Sequence, residues 1–291
     1  MSVVFVITPH DRSAPAPDFD ALLTRVDPND AVLSVFDAGV ARGDGVFETI
    51  GVNAGSARKP RSHLDRLAAS ARIMDLPEPD AEQWMHAIER VAGLLDPARG
   101  GVIRLVMTRG TGDGRPTCWI TGEETPPEVR EREHGVRVVL LDRGWPIDIA
   151  ERAPWMLAGA KTLSYAPNMA ALREARRRGA DDVVFTSLEG YALEGPTSSL
   201  IVRTGTMLVT PTSGDGNLPG TTQRELFGWA EQNGFSTQSR RVRADEVRQA
   251  DAAWLASSVR LVVPIIAIDD RTMQVDEGLT RRMNEHLLAL G

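Results

Sequence analysis

Apolar positions along the chain fall into two spacings, and each predicts a different element. Runs of branched residues bounded by turn formers mark strands, whereas recurrence every third or fourth position marks an amphipathic helix. Ser2 to Thr8 reads as a strand stopped by Pro9, and Val46 to Val52 and Gly101 to Thr108 are branched-rich runs bounded by glycines. Between them lie two helical patterns. Ser62 is placed to cap the first, in which Leu64, Leu67, Ala68, Ala71 and Met74 recur before Pro77; Ala81 to Leu95 forms the second, stopped by Asp96-Pro97. Thr117 to Thr121 adds another strand.

Residues 124–134 are dense in proline and charge and read as a linker between an N-terminal α/β domain, 1–123, and a C-terminal domain, 135–291. Beyond it Val136 to Leu141 is a strand, and Asn168 to Arg178 a helix ended by Gly179. Short strands then crowd together at Val183 to Thr186, Tyr191 to Leu193, Ser199 to Arg203 and Thr206 to Val209. Thr221 to Gln232 is helical, Ala253 to Ala256 and Val262 to Ile268 are strands, and the tail from Leu279 is an amphipathic helix. So many short strands separated by turn residues predict a mainly antiparallel, barrel-like second domain, and the whole is α/β (α+β) in class.

Composition narrows the function. A net charge of -7 argues against a nucleic-acid footprint, which needs an excess of basic residues on some face. No apolar run reaches membrane-spanning length, and the opening strand is too short and too poor in basic residues for a secretion signal. The single cysteine, Cys118, lies in a strand, rules out an internal disulfide and fits a reducing cytoplasm. The five histidines show no paired metal-ligand spacing, so no metal is expected.

Charge type is more telling than charge number. Among 33 basic residues only Lys59 and Lys161 are lysine. Arginine stays protonated and cannot serve as an amine nucleophile, whereas lysine can. Lys59 lies among Arg58, Pro60 and Arg61 and reads as ordinary surface charge; Lys161 sits in the small, nearly uncharged run Ala158-Gly159-Ala160-Lys161-Thr162-Leu163-Ser164-Tyr165. Glu194, at a strand end before Gly195-Pro196-Thr197-Ser198-Ser199, is the matching acid. A carboxylate held against a pyridine nitrogen keeps it protonated, as pyridoxal phosphate chemistry requires. Gly216-Asn217-Leu218-Pro219-Gly220-Thr221-Thr222-Gln223 is a turn running into a helix, whose first N–H groups suit an anion. Arg66 and Ser258 are candidates to add a guanidinium and a hydroxyl. Gly110-Thr111-Gly112-Asp113-Gly114-Arg115 has the wrong spacing for a dinucleotide loop and reads instead as a hairpin loop presenting Arg109 and Arg115.

Five segments, in order, resemble the class IV, or fold-type IV, pyridoxal phosphate enzymes: Asp37 to Thr49, His63-Leu-Asp-Arg66-Leu67, Lys161 to Tyr165, Leu193 to Ser199, and Leu218 to Arg224. These enzymes include branched-chain and D-amino acid aminotransferases and aminodeoxychorismate lyase. The resemblance implies a small α/β domain, a larger pseudo-barrel, pyridoxal 5'-phosphate lodged between them, and a homodimer acting on a small amino-bearing carboxylate. It implies that Lys161 holds the cofactor covalently, that Glu194 faces the pyridine nitrogen, and that Arg66, Thr221, Thr222 and Ser258 hold the phosphate. Branched-chain enzymes carry a tyrosine five residues after the lysine; here that position is Ala166, with Tyr165 one earlier, so that tyrosine's role is not transferred.

The Lys-Thr-Leu-Ser-Tyr-Ala-Pro-Asn and Gly-Asp-Gly-Val-Phe-Glu-Thr stretches are most similar to aminodeoxychorismate lyases, which release pyruvate and form 4-aminobenzoate for folate synthesis. By that likeness Thr49 is a candidate substrate contact, and Arg109 or Arg115 receives a carboxylate. The alternative is a class IV aminotransferase acting on D-alanine or branched-chain amino acids.

Overall fold

The computed structural model describes every residue except 11–14, 16, 126–128 and 291, and it divides into two compact units. The first holds the described residues of Met1–Glu128 together with Ala160–Tyr165 and Leu290. Its elements are β1 (Ser2–Ile7), β2 (Leu23–Val26), α1 (Ala38–Arg42), β3 (Gly45–Asn53), β4 (Ser56–Ala57), α2 (Pro60–Ile73), α3 (Ala81–Ala92), β5 (Gly100–Thr108) and β6 (Thr117–Thr125).

Six strands form an antiparallel sheet in the order β2-β1-β6-β5-β3-β4. Successive side chains of a strand point to opposite faces, so Ile103, Leu105 and Met107 of β5 share one face and all are buried. Helices α2 and α3 cover the sheet, with Leu64, Leu67 and Ala71 from the first and Trp84, Ile88 and Val91 from the second fully buried. The start of α2 differs from the sequence expectation. Pro60 takes the first helical position, where its missing N–H costs nothing, and Lys59 before it adopts a left-handed φ of 49°; Ser62 lies inside the helix.

The second unit, Val129–Gly159 with Ala166–Ala289, contains α4 (Arg130–His134), β7 (Val136–Asp142), α5 (Ile149–Arg152), α6 (Ala166–Arg177), β8 (Asp182–Thr186), β9 (Tyr191–Ala192), β10 (Ser199–Thr204) and β11 (Met207–Pro211). Then come α7 (Thr221–Gln232), β12 (Ser236–Arg240), β13 (Val242–Arg243), α8 (Ala244–Gln249), β14 (Ala252–Ser257), β15 (Leu261–Ile268), β16 (Arg271–Thr272) and α9 (Glu277–Leu288). Ten strands make one sheet along the path β12-β11-β10-β14-β15-β7-β8-β9-β13, with β16 on β15. Its two end strands, β12 and β13, are separated in the chain by Arg241 alone. The sheet therefore curls until its ends adjoin, which makes it a near-barrel.

Pairing among the described strands of this sheet is mostly antiparallel, as expected, but three pairs are parallel: β7 runs parallel to both β8 and β15, and β12 parallel to β11. Burial on both faces accounts for the apolar stretches Val138-Val139-Leu140-Leu141 of β7 and Val183-Val184-Phe185 of β8, where β7 otherwise alternates at the exposed Arg137. Val138 and Val184 join an inner cluster with Leu200, Leu255 and Ile265. Their neighbours Val139, Val183 and Phe185 join Ala171 and Ala175 of α6 in an outer one.

Two boundaries also differ. Within the expected linker, β6 runs on to Thr125 and Arg130–His134 is helical, while residues 126–128 lie outside the described residues. The Ala160–Tyr165 segment, which sequence position alone allots to the second domain, packs with the first unit because it hydrogen-bonds to β3.

Candidate active site

Lys161 sits on the edge of β3 that β5 leaves open. Phe47 N–H donates to the Lys161 carbonyl at 3.1 Å and Leu163 N–H to the Gly45 carbonyl at 2.8 Å, with Thr162 bridged to Val46 between them. On its other side the Lys161 backbone N–H donates to Oγ of Ser70, on α2, at 3.1 Å. The lysine is thus anchored through both polar groups of its backbone. Its Nζ lies 4.4 Å from the centre of the Phe47 ring and 5.6 Å from that of Tyr165, and the two rings meet edge to face at 5.3 Å. Phe47 and Thr49 share one face of β3 and Glu48 lies on the other.

Glu48 is fully buried, and its carboxylate is gripped by Arg66, Nε to Oε1 at 2.6 Å and Nη2 to Oε2 at 2.8 Å. His63 completes the arrangement with Nδ1 2.7 Å from Oε2; since an ionised carboxylate only accepts, the Nδ1 proton is donated to it. Burial alone would raise the Glu48 pKa, but the Arg66 charge and the hydrogen bonds from Arg66 and His63 outweigh it and hold the carboxyl at about 2. Burial, followed by the positive neighbours Arg66 and Lys161, lowers the pKa of His63 against the opposing pull of Glu48. The pair is a buried carboxylate and a neutral imidazole, arranged to fix one guanidinium. The Arg66 guanidinium is thereby held in one orientation along its Nε–Nη2 edge.

The hairpin between β5 and β6 carries Arg109 and Arg115, but the two differ. Arg109 binds Asp44 through Nε at 2.8 Å and Nη2 at 3.1 Å, and donates to the carbonyls of Met74 at 2.6 Å and Asp75 at 3.2 Å. Those carbonyls lie just past the end of α2, so Arg109 ties that terminus to the start of β3, and its donors are committed there rather than to a carboxylate ligand. Arg115 is exposed, on a loop whose Gly110, Gly112 and Gly114 all have positive φ. Thr49, half-buried on β3, faces the same side as Phe47.

Glu194, Thr221, Thr222 and Ser258 belong to the second unit. Glu194 follows β9, and its Oε2 accepts the Leu218 backbone N–H at 3.1 Å, which joins the acid to the turn before α7. Asn168 Nδ2 donates to the Pro196 carbonyl at 2.7 Å and steadies the chain just after Glu194. Glu194 lines a cavity of about 110 Å³ with Ser199, Leu218, Gly220 and Arg224. Gly220 is the N-cap of α7 and offers the helix no side-chain cap. A Cβ there would lie 2.2 Å from Ser199 Oγ, so glycine is what lets the turn approach β10. Thr221 and Thr222 open the helix, at the end where its dipole is positive. Ser258 sits in the turn between β14 and β15, held by Arg132, which donates to the carbonyls of Val259 at 2.8 Å and Arg260 at 2.9 Å.

Glu48 and His63 stand in the segments that carry the family resemblance but are assigned no role there, and Ser70 lies outside those segments; all three surround Arg66 and Lys161 in the structure. A signal for them exists: a lone carboxylate inside the apolar run Val46-Phe47-Glu48-Thr49-Ile50, and polar positions 63, 66 and 70 on a helix face shared with Leu64, Leu67 and Ala71.

The first unit carries an amine, and the second carries a carboxylate that accepts a hydrogen bond and a helix start capped by glycine; these are the group types that the aldehyde, ring nitrogen and phosphate of pyridoxal phosphate require. Comparison with known proteins agrees. Residues 45–268 match the family model of amino-transferase class IV. A bifunctional aminodeoxychorismate lyase / D-amino acid transaminase of Mycobacterium tuberculosis is 40% identical over 84% of this chain and 89% of its own. Among solved structures, a fold IV-transaminase from Curtobacterium pusillum is 46% identical with a TM-score of 0.93, covering 99% of this chain and 97% of that one. A hypothetical aminotransferase from Mycobacterium tuberculosis in its PLP-bound form is 36% identical with a TM-score of 0.88, over 100% and 98% of the two chains. With the family model matching most of its length and relatives so similar to it, the chain belongs to the class IV aminotransferases and is a pyridoxal phosphate-dependent enzyme of the fold-type IV architecture.

Proposed function

We propose that this enzyme is a 4-amino-4-deoxychorismate lyase, releasing pyruvate and forming 4-aminobenzoate. The observation that carries the reading is Lys161, the one lysine in an apolar, sterically open run, fixed on β3 with its amine against Phe47 and Tyr165. The 40% identical relative named for both lyase and transaminase activity supports the choice of reaction.

In this reading Lys161 holds the cofactor, Glu194 keeps its ring nitrogen protonated, and Arg66, Thr221, Thr222 and Ser258 hold its phosphate. Pyridoxal phosphate, when bound, supplies an electron sink beside the substrate's amino-bearing carbon. Lys161 Nζ would be the base that takes the proton from that ring carbon. Pyruvate leaves as the ring becomes aromatic, and the atoms of substrate and products balance without a further reactant. Arg115 is the arginine available to receive a substrate carboxylate, and Thr49 lies on the Phe47 face of β3 to contact the substrate. Exposed Val35 and Phe36, 75% and 81% accessible, suit burial against a second copy in a homodimer.

A second reading, a class IV transaminase acting on D-alanine or branched-chain amino acids, is favoured by the 46% identical transaminase structure. In it the same Lys161 amine would act as the base at the substrate carbon. One assay separates the two. Pyruvate release from aminodeoxychorismate with no amino acceptor present supports the lyase; rapid conversion of bound cofactor to pyridoxamine phosphate by D-alanine or L-leucine, without such release, supports the transaminase. Lys161→Ala should abolish the visible absorbance of the bound cofactor while the protein stays folded, and retention of that band would assign another residue.

A further inference from the structure

Helix α2 presents His63, Arg66 and Ser70 at i, i+3 and i+7, along one face. The first two act on Glu48. Ser70, 1% exposed, does something different: its Oγ takes the backbone N–H of Lys161. A buried small residue on a helix that packs closely against a strand needs no hydroxyl, and alanine, the better helix former, would fill the space. The hydroxyl has one evident task. The Lys161 carbonyl is occupied by Phe47 N–H on the strand side, so the residue hangs between β3 and α2, and Ser70 supplies the second attachment. With both backbone groups fixed, only the lysine's own torsions decide where Nζ reaches.

We propose that Ser70 is a positioning residue for Lys161: by accepting the Lys161 backbone N–H it fixes the point from which the amine reaches. It acts through the backbone and not on the reacting atoms. The proposal rests on the reading of Lys161 as the residue that holds pyridoxal phosphate.

The test uses the full-length enzyme loaded with pyridoxal phosphate and two variants. Ser70→Ala removes the acceptor; Ser70→Cys keeps nearly the volume but replaces oxygen with a poor acceptor. Both are expected to fold, to retain the cofactor about tenfold less tightly, equivalent to about 1.4 kcal/mol, and to shift the pH midpoint of the visible band. Hydrogen exchange followed by mass spectrometry is expected to show faster exchange in the peptide covering residues 160–165 and unchanged rates in β5 and β6. Unfolding of both variants would make Ser70 a structural residue and overturn the proposal. So would wild-type exchange in that peptide, or faster exchange with an unchanged band midpoint and retention, or a wild-type spectrum in Ser70→Cys. Failure of the underlying reading is seen separately, as a wild-type band that survives Lys161→Ala.

Discussion

Arg66 holds both carboxylate oxygens of Glu48 in a two-point grip from which solvent is excluded: Glu48 has no exposure and the Arg66 side chain only 11%. A planar guanidinium bound along one edge cannot rotate, so its whole plane is held in one orientation. A buried ion pair is a poor source of net stability, because desolvation offsets much of the attraction, but breaking it from one side is costly. The pair is therefore better understood as an orienting device than as a stabilising one.

Glu48→Gln tests this. The glutamine NH2 would face a donor of Arg66 or His63, leaving a buried positive charge without its partner, and the expected destabilisation is about 3–5 kcal/mol. Pyridoxal phosphate should be retained more weakly, whereas pyridoxal, which lacks the phosphate, should lose no affinity. Chemical denaturation and cofactor titration check both, and equal losses for the two cofactors would rule out an effect through Arg66.

Acid should weaken the fold in two stages. The folded-state pKa of Glu48 lies at about 2, below its ordinary 4.5, so the folded state binds fewer protons across that interval. Its contribution is complete above about 4.5 and is lost as pH falls towards 2. His63, lowered from 6.5 chiefly by burial, has the same sign and begins to cost stability once pH drops below 6.5. Urea midpoints measured from pH 8 downwards should decline gently below 6.5 and steeply below 4.5. A flat profile to pH 3 would contradict the assignment.

Arg109 and Arg115 should separate by phenotype. Arg109→Ala removes two carbonyl contacts past the end of α2 along with the Asp44 pair, and is expected to cost about 1–2 kcal/mol; the half-exposed ion pair itself adds little of this. Arg115→Ala should leave stability within about 0.5 kcal/mol and raise KM for a carboxylate substrate about tenfold or more. Thermal unfolding and steady-state kinetics on the same pair of variants decide it, and the reverse pattern would exchange the two roles.

Gly220→Ala should lower cofactor retention through a steric conflict with Ser199. The backbone angle at Gly220, φ -71°, is ordinary, so the obstacle is Ser199 Oγ, 2.2 Å from the new Cβ. The expected cost is about 1–3 kcal/mol. Adding Ser199→Gly should restore part of the affinity, and a double variant no better than the single one would locate the fault elsewhere.

Cys118 should be chemically silent in the native protein. Burial in β6, with a smaller effect from Asp37, pushes its thiol up to about 12, so almost no thiolate exists at neutral pH. Labelling with a thiol reagent at pH 8 should proceed only after denaturant is added; rapid native labelling would show that the strand opens.

Much of this protein is legible in the order of its residues. The runs at Val46, Gly101, Val136 and Val262 form strands, and Thr221–Gln232 is a helix with the expected ends, because strand alternation, helical spacing and turn residues act locally and are written directly in the chain. Lys161 stands out for a chemical reason, an amine in a nearly uncharged run of a chain whose other basic residues, apart from Lys59, are all arginine. What the linear pattern does not contain is pairing between distant residues. Nothing near Lys161 announces that residues 161–163 will close the open edge of β3, and nothing near Glu48 says that it will meet His63 and Arg66. Arg109 reads as a loop charge in the sequence, and only the carbonyls of Met74 and Asp75, placed beside it by folding, give it a structural task. Parallel pairing of β7 with β8 and β15, and the curl that brings β12 to β13, likewise depend on contacts between segments far apart in the chain. The elements, and the lysine that invites a chemical reading, follow from neighbours along the chain, and so the residue order suffices to identify them. Which polar group answers which is settled only by folding, because a buried donor or acceptor must find its partner wherever packing brings one.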